Sequence, residues 1–258
     1  MSTLSFTLVQ TALHWEDAAA NRKMFEEKLN QLSPTEIVVL PETFSTGFSM
    51  NPSTLAETMQ GETVQWMKSM AEKHKIILTG SLIIKENEHY HNRLIWMLPN
   101  GQCGHYDKRH LFSYAGEDVA FTPGEKRLIT QVKGWKICTL ICYDLRFPVW
   151  SRQHTDGEYD VLLYMANWPE RRIAAWNSLL RARAIENQCY VVAVNRIGED
   201  GNGHQYPGDS CVIDPMGEII YQNRGGEDMK TISLNKEELI KVRTQFPFQK
   251  DKDDFMIL

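Results

Sequence analysis

Apolar positions along the chain alternate between two spacings. Leu4–Gln10 has the short apolar pattern of a strand, and Trp15–Leu32 changes to helical spacing, with Ala18, Phe25, Leu29 and Leu32 on one stripe. Ile37–Leu40 is wholly apolar, as expected of a strand covered on both faces. Glu62–His74 is helical through Val64, Met67 and Ala71. Ile76–Ile84 and Arg93–Leu98 predict further strands, and Asn100-Gly101 suits a tight turn between paired strands. The second half repeats the alternation. Lys136–Ile141, Asp160–Ala166 and Tyr190–Asn195 read as strands, and Arg171–Gln188 as a helix with Ile173, Trp176, Leu180 and Ala184 facing inward. Cys211–Ile213 and Glu218–Tyr221 flank the turn Asp214-Pro215-Met216-Gly217, and Lys230–Leu234 leads through a short helix from Asn235 to a polar tail. No linker, low-complexity stretch or charge block divides the chain. Residues 1–258 therefore predict one α/β domain with central strands covered by helices.

Composition narrows the partners. The 258 residues are 42% hydrophobic, enough for a sizeable core. Lys and Arg number 28 against 33 Asp and Glu, a formal charge of -5, so no basic face predicts nucleic acid. No apolar run approaches the roughly 20 residues of a membrane-spanning helix. The Met-Ser-Thr-Leu-Ser start lacks the basic and apolar segments of a signal peptide. A cytoplasmic protein with no membrane partner is expected. Five cysteines without a Cys-x-x-Cys pair argue against a disulfide scaffold. Cys103, Cys189 and Cys211 lie in strand-like stretches, where buried thiols act as small apolar groups.

Three strand ends carry unusual residues, and in open α/β sheets reactive groups gather at the carboxyl ends of strands. Ile37–Leu40 ends in Pro41-Glu42-Thr43-Phe44. The strand leading to Tyr106 ends in Asp107-Lys108-Arg109-His110-Leu111-Phe112. Ile137–Ile141 ends in Cys142-Tyr143-Asp144-Leu145-Arg146-Phe147-Pro148. Taken singly, each has a plain structural reading: Glu42 as a helix cap, Lys108 as a solvated lysine, Cys142 as an inert core thiol like Cys138. Together they suit acyl transfer. A thiol attacks only as thiolate, a carboxylate can take its proton, and a lysine can hold the charge that develops on a carbonyl oxygen.

The segments VVLPETF, YDKRHLF and LICYDLRFP resemble, in order and spacing, the three signature stretches of the nitrilase superfamily, also called carbon-nitrogen hydrolases. The likeness runs over nearly the whole chain. It implies Glu42 as general base, Lys108 as oxyanion-stabilising lysine and Cys142 as nucleophile. Gly116-Glu117 followed by Phe121-Thr122-Pro123-Gly124 resembles the family's second glutamate, which makes Glu117 a fourth member that orients Lys108 or the substrate. A four-layer α-β-β-α sandwich with pseudo-twofold halves and a homodimer joined through outer helices are also implied. No metal or organic cofactor is expected.

Asn167-Trp168-Pro169-Glu170-Arg171-Arg172, with CYDLRFP, looks most like the omega-amidase branch, whose enzymes release ammonia from 2-oxoglutaramate or 2-oxosuccinamate. A neighbouring branch acts on deaminated glutathione, and other small aliphatic amides or carbamoyl compounds remain as alternatives. The expected substrate group comprises the Tyr143 backbone N–H, Trp168 as a pocket wall, and Arg146 and Arg172 as partners of a carboxylate. Trp168 has a core-packing alternative and Arg146 a structural ion-pair alternative. Rival readings are a Cys–His hydrolase using His110 or His204, a zinc site at His89-x-His91, an ammonia-supplying glutaminase subunit, and a non-catalytic binding protein on the same fold. Gly198 to Gly203 reads as a flexible loop.

Overall fold

The computed structural model describes residues 2–153, 157–253 and 255. In the first half, β1 (Thr3–Gln10) is followed by α1 (Ala18–Leu29), β2 (Ile37–Val39), α2 (Pro52–Leu55), α3 (Glu62–His74), β3 (Ile77–Glu86), β4 (His89–Met97), β5 (Cys103–Asp107) and α4 (Glu117–Ala120). The second half runs β6 (Leu128–Val132), β7 (Trp135–Ile141), α5 (Pro148–Ser151), β8 (Val161–Ala166), α6 (Ile173–Asn187), β9 (Tyr190–Asn195), β10 (Ile197–Glu199), β11 (Gln205–Ile213) and β12 (Ile219–Arg224). It closes with β13 (Asp228–Asn235) and α7 (Lys236–Gln245).

Two sheets face each other between helices. One has the order β13-β1-β2-β3-β4-β5, the other β10-β11-β9-β8-β7-β6 with β12 on β11. Each centres on three parallel strands, β1-β2-β3 and β7-β8-β9, with antiparallel strands outside them. The apolar runs explain the layering. In β2, Ile37 and Val39 point between the sheets, whereas Val38, with Leu40 just beyond the strand, faces α1 and α3 through Phe25, Leu29, Met67 and Ala71. On the far side Trp176, Leu180 and Ala184 of α6 cover the second sheet. This is the expected α-β-β-α sandwich.

Several elements differ from the sequence expectation. The first helix starts at Ala18, because the Asp17 side chain caps it by accepting from the Ala20 N–H at 2.9 Å. The helix expected from Arg171 opens instead with a 3-10 turn, Glu170–Arg172. Cys103 lies in β5 but is exposed, not buried. The glycine-rich stretch from Gly198 is no loose loop. It forms β10 and the β10–β11 turn, where Asp200 Oδ1 accepts from the Asn202 and His204 N–H groups at 2.8 and 3.0 Å.

Candidate active site

Local backbone geometry brings the strand-end residues together. After β2 the chain turns sharply. Thr43 has φ +42°, an uncommon conformation for a β-branched residue, and its carbonyl accepts from the Thr46 and Gly47 N–H groups. Glu42 is therefore presented by a fixed turn, not as a helix cap. Lys108 follows β5, where its N–H donates to Asn92 O at 3.0 Å and continues the β4–β5 ladder. The loop carrying Glu117 is closed by Gly124, which approaches so near that a Cβ would lie 2.2 Å from Asp107 O. Cys142 has φ +42° and opens a 3-10 turn, Cys142–Arg146, at the end of β7.

Asp144 ties these segments together. Its Oδ2 accepts from Ile141 N at 3.0 Å and from Tyr106 OH at 2.7 Å. Its Oδ1 accepts from His110 N and meets His110 Nδ1 at 2.9 Å. The Cys142 turn is thereby fixed against the segment that bears Lys108. His110 stacks on Phe147 at 3.8 Å and is held by Asp144, so it does not pair with Cys142.

The centre is a buried charge cluster. Lys108 Nζ donates to Glu42 Oε1 at 2.9 Å and to Glu117 Oε1 and Oε2 at 2.9 and 2.8 Å. Asn92 Nδ2 bonds Glu42 Oε1 at 2.8 Å and Glu117 Oε1 at 3.2 Å. The Asn167 N–H donates to Glu42 Oε2 at 2.8 Å, and Phe112 N–H to Glu117 Oε2 at 2.6 Å. Glu42, Lys108 and Glu117 are at most 1% exposed; Cys142 is 9% exposed, and its Sγ lies 4.0 Å from Asn167 O, the residue whose N–H holds Glu42.

Charge balance follows from these contacts. Burial works against the Lys108 charge, but Glu117, Glu42 and Cys142 together hold its pKa above the usual lysine value. Burial, reinforced by Glu42, pushes Glu117 upward against the pull of Lys108. Burial and then the Glu42 charge push the Cys142 thiol well up, with Lys108 opposing. Burial and the Glu42 charge thus both favour the neutral thiol over the thiolate at Cys142.

Cys142 and Lys108 open into a cavity of about 540 Å³ that is also lined by Tyr143, Trp168, Arg146 and Arg172, the four residues expected at a substrate site. Glu42 and Glu117 lie behind it. Trp168 is a wall and a packed side chain at once: it rests against Trp176 at 5.5 Å and donates from Nε1 to Arg172 O at 2.8 Å. Arg146 lies 5.1 Å over the Trp168 ring, and Arg172 4.8 Å over that of Phe112. Neither guanidinium forms a salt bridge among the described residues, so the structural ion-pair reading of Arg146 falls. Arg171, over Tyr114 at 5.8 Å, is a third unpaired guanidinium that sequence reasoning passed over. Also missed were Asn92, Asn167, Phe48 and the β10–β11 residues Asp200 and Asn202; His204, weighed only as the partner of a Cys–His pair, lines the cavity beside them. No cluster of His, Cys, Asp and Glu suited to a metal occurs among the described residues.

Known proteins share this arrangement of elements. The family model described as carbon-nitrogen hydrolase matches residues 5–243. The chain is 42% identical to an omega-amidase, YafV, of Yersinia enterocolitica over the full length of both. It is 35% identical to a 2-oxoglutaramate amidase of Bacillus subtilis, covering 82% of this chain and 83% of the relative. A Xanthomonas campestris CN-hydrolase superfamily structure with an arsenic adduct in its active site superposes with TM-score 0.98 at 42% identity, each chain fully covered. The chain is a member of the carbon-nitrogen hydrolase family.

Proposed function

We propose that the protein hydrolyses the terminal amide of a short oxo-dicarboxylic acid monoamide, of the 2-oxoglutaramate or 2-oxosuccinamate type. The observation that carries this reading is the set of guanidiniums of Arg146, Arg171 and Arg172, without carboxylate partners among the described residues, on the wall of the cavity that holds Cys142. A carboxylate is their natural complement. The names of the omega-amidase and 2-oxoglutaramate amidase relatives point the same way.

In the proposed reaction Glu42 accepts the Cys142 proton as sulfur bonds to the amide carbon. Lys108 and the Tyr143 N–H hold the oxyanion, and one such donor is worth about 10²–10³ in rate. The proton passes from Glu42 to nitrogen, the C–N bond breaks and ammonia leaves. Water, activated by Glu42, then attacks the thioester, releases the acid and restores the thiol. Glu117 keeps Lys108 in place. The chain acts as one domain, as a homodimer, and in the cytoplasm, in keeping with five unpaired cysteines.

The test compares kcat/KM for 2-oxoglutaramate, glutamine and an uncharged aliphatic amide. The oxo-acid amide should lead the neutral amide by about 10²-fold or more, because the arginines are left unpaired by a substrate without a carboxylate. Glutamine should trail as well, since its ammonium meets the same cations. Equal values would remove the substrate assignment, and a preference for nitriles would overturn amide hydrolysis itself.

A further inference from the structure

Glu42 and Glu117 lie side by side and share a single cation. Two carboxylates this close repel, and Lys108 supplies one positive charge for both. A neutral group completes the arrangement. The Asn92 side chain is 1% exposed, and its Nδ2 sends one N–H to each carboxylate, closing a ring in which Lys108 and Asn92 both bridge Glu42 Oε1 and Glu117 Oε1. The sheet fixes its position: Arg93 pairs with Asp107 in the β4–β5 ladder, which sets Asn92 opposite Lys108, and Lys108 N–H donates to Asn92 O. The other end of the amide is unfavourable for stability, since Oδ1 is buried without a hydrogen-bond partner. An apolar residue would avoid that cost. The placement makes sense for what Nδ2 does.

We propose that Asn92 is a positioning residue for the hydrolysis: it holds Glu42 and Glu117 at the separation one Lys108 ammonium can span, and fixes the Glu42 oxygen that Lys108 also binds. This rests on the reading of Cys142 as nucleophile and Glu42 as base. The charged and titratable groups facing Glu42 are Lys108 after β5, Glu117 of α4 and Cys142 after β7; Asn92 and Asn167 supply the neutral donors. Asn92 does not line the cavity, so it acts through Glu42 and not on the substrate. Donors to a carboxylate favour its charged form, and losing one makes protonation easier.

The experiment reads the rate at which iodoacetamide alkylates Cys142, followed by mass spectrometry of its peptide across pH, beside kcat and KM for the amide. Asn92→Leu removes the donor at similar volume. Alkylation and kcat should both fall by about 10- to 100-fold at neutral pH, the range expected for one hydrogen bond to a charged group. KM should stay within about threefold, and the acid limb of both profiles should move up by about one pH unit. Asn92→Ser, too short to bridge two carboxylates, should shift the same limb and guards against a Leu variant that does not fold. A folded variant with a lower rate but an unmoved acid limb overturns the proposal, as does a loss carried by KM. If wild-type Cys142 is alkylated no faster than Cys138, the nucleophile reading itself falls and the proposal falls with it.

Discussion

Cys138 and Cys142 are four residues apart, and their environments differ in the one respect that matters for chemistry. Cys138 is fully buried in β7, where burial above all pushes its pKa up to about 12, with Arg127 opposing and Asp144 adding to the rise. Cys142 is also pushed up, but the charges of Glu42 and Lys108 both act on it. Cys142→Ala should therefore abolish ammonia release while Cys138→Ala retains it, and a slow substrate should leave an acyl mass on the Cys142 peptide alone. An active Cys142→Ala protein would remove the assignment. Glu42→Gln keeps the shape but accepts no proton, so acylation and deacylation should each drop by about 10²–10⁴-fold in pre-steady-state assays. His110→Ala, by contrast, should keep most activity, because His110 is bound to Asp144 and not to sulfur. The opposite ranking of the two variants would restore the Cys–His mechanism.

At the scale of elements, strands that end in reactive residues were legible because a buried strand is an uninterrupted apolar run, and the polar residue that breaks it stands out. Glu42, Lys108 and Cys142 all follow that rule. Asn92 did not stand out, since β4 begins at His89, four residues before the first recognisable strand position, and its early residues are polar. β6 is an edge strand, half-buried along most of its length, and shows no clean period. β11 starts at Gln205 and not Cys211, but Pro207 and the positive φ of Gly208 and Asp209 make its first half read as a turn. The pairing of β13 with β1 joins residues more than two hundred positions apart, which no local pattern encodes. The β10–β11 turn gives this misreading a functional edge, since it places Asp200, Asn202 and His204 on the cavity wall. Asp200 satisfies two backbone N–H groups and Tyr206 OH, the last at 2.8 Å. Asp200→Ala leaves these donors unmet at about 1–3 kcal/mol in total, so melting should fall by several degrees. The wall would loosen while the charge cluster stays, so KM should rise several-fold with kcat nearly unchanged. A fall in kcat at constant KM would show that the turn is not a wall but part of the reacting centre.

For the whole molecule, Glu42 and Lys108 follow strands of one sheet and Cys142 follows a strand of the other, so the site exists only once the two layers have packed face to face. All of them belong to one chain. The outer surface nonetheless carries a feature that a monomer does not require. Ile185 of α6 is 51% exposed, Met216, Ile219 and Ile220 of the β11–β12 hairpin are 45–48% exposed, and Ile185 and Ile219 border a shallow groove between helix and hairpin. A second copy of the chain is the proposed occupant, in line with the outer-helix dimer implied by the family resemblance. A twofold contact would bring the same face from each protomer together, and a stable one buries about 800 Å² per partner. A charge at its centre should then be far more damaging to assembly than to folding. Ile219→Glu lies on a strand position open to solvent in the monomer, so its melting temperature as a monomer should change little, whereas light scattering should report one chain instead of two. Glu42, Lys108 and Cys142 come from one chain and lie away from this face, so kcat should survive in the monomer. A dimer that persists in Ile219→Glu would move the interface elsewhere. A wild-type protein that scatters as a monomer at every concentration would leave this apolar face without the role assigned to it.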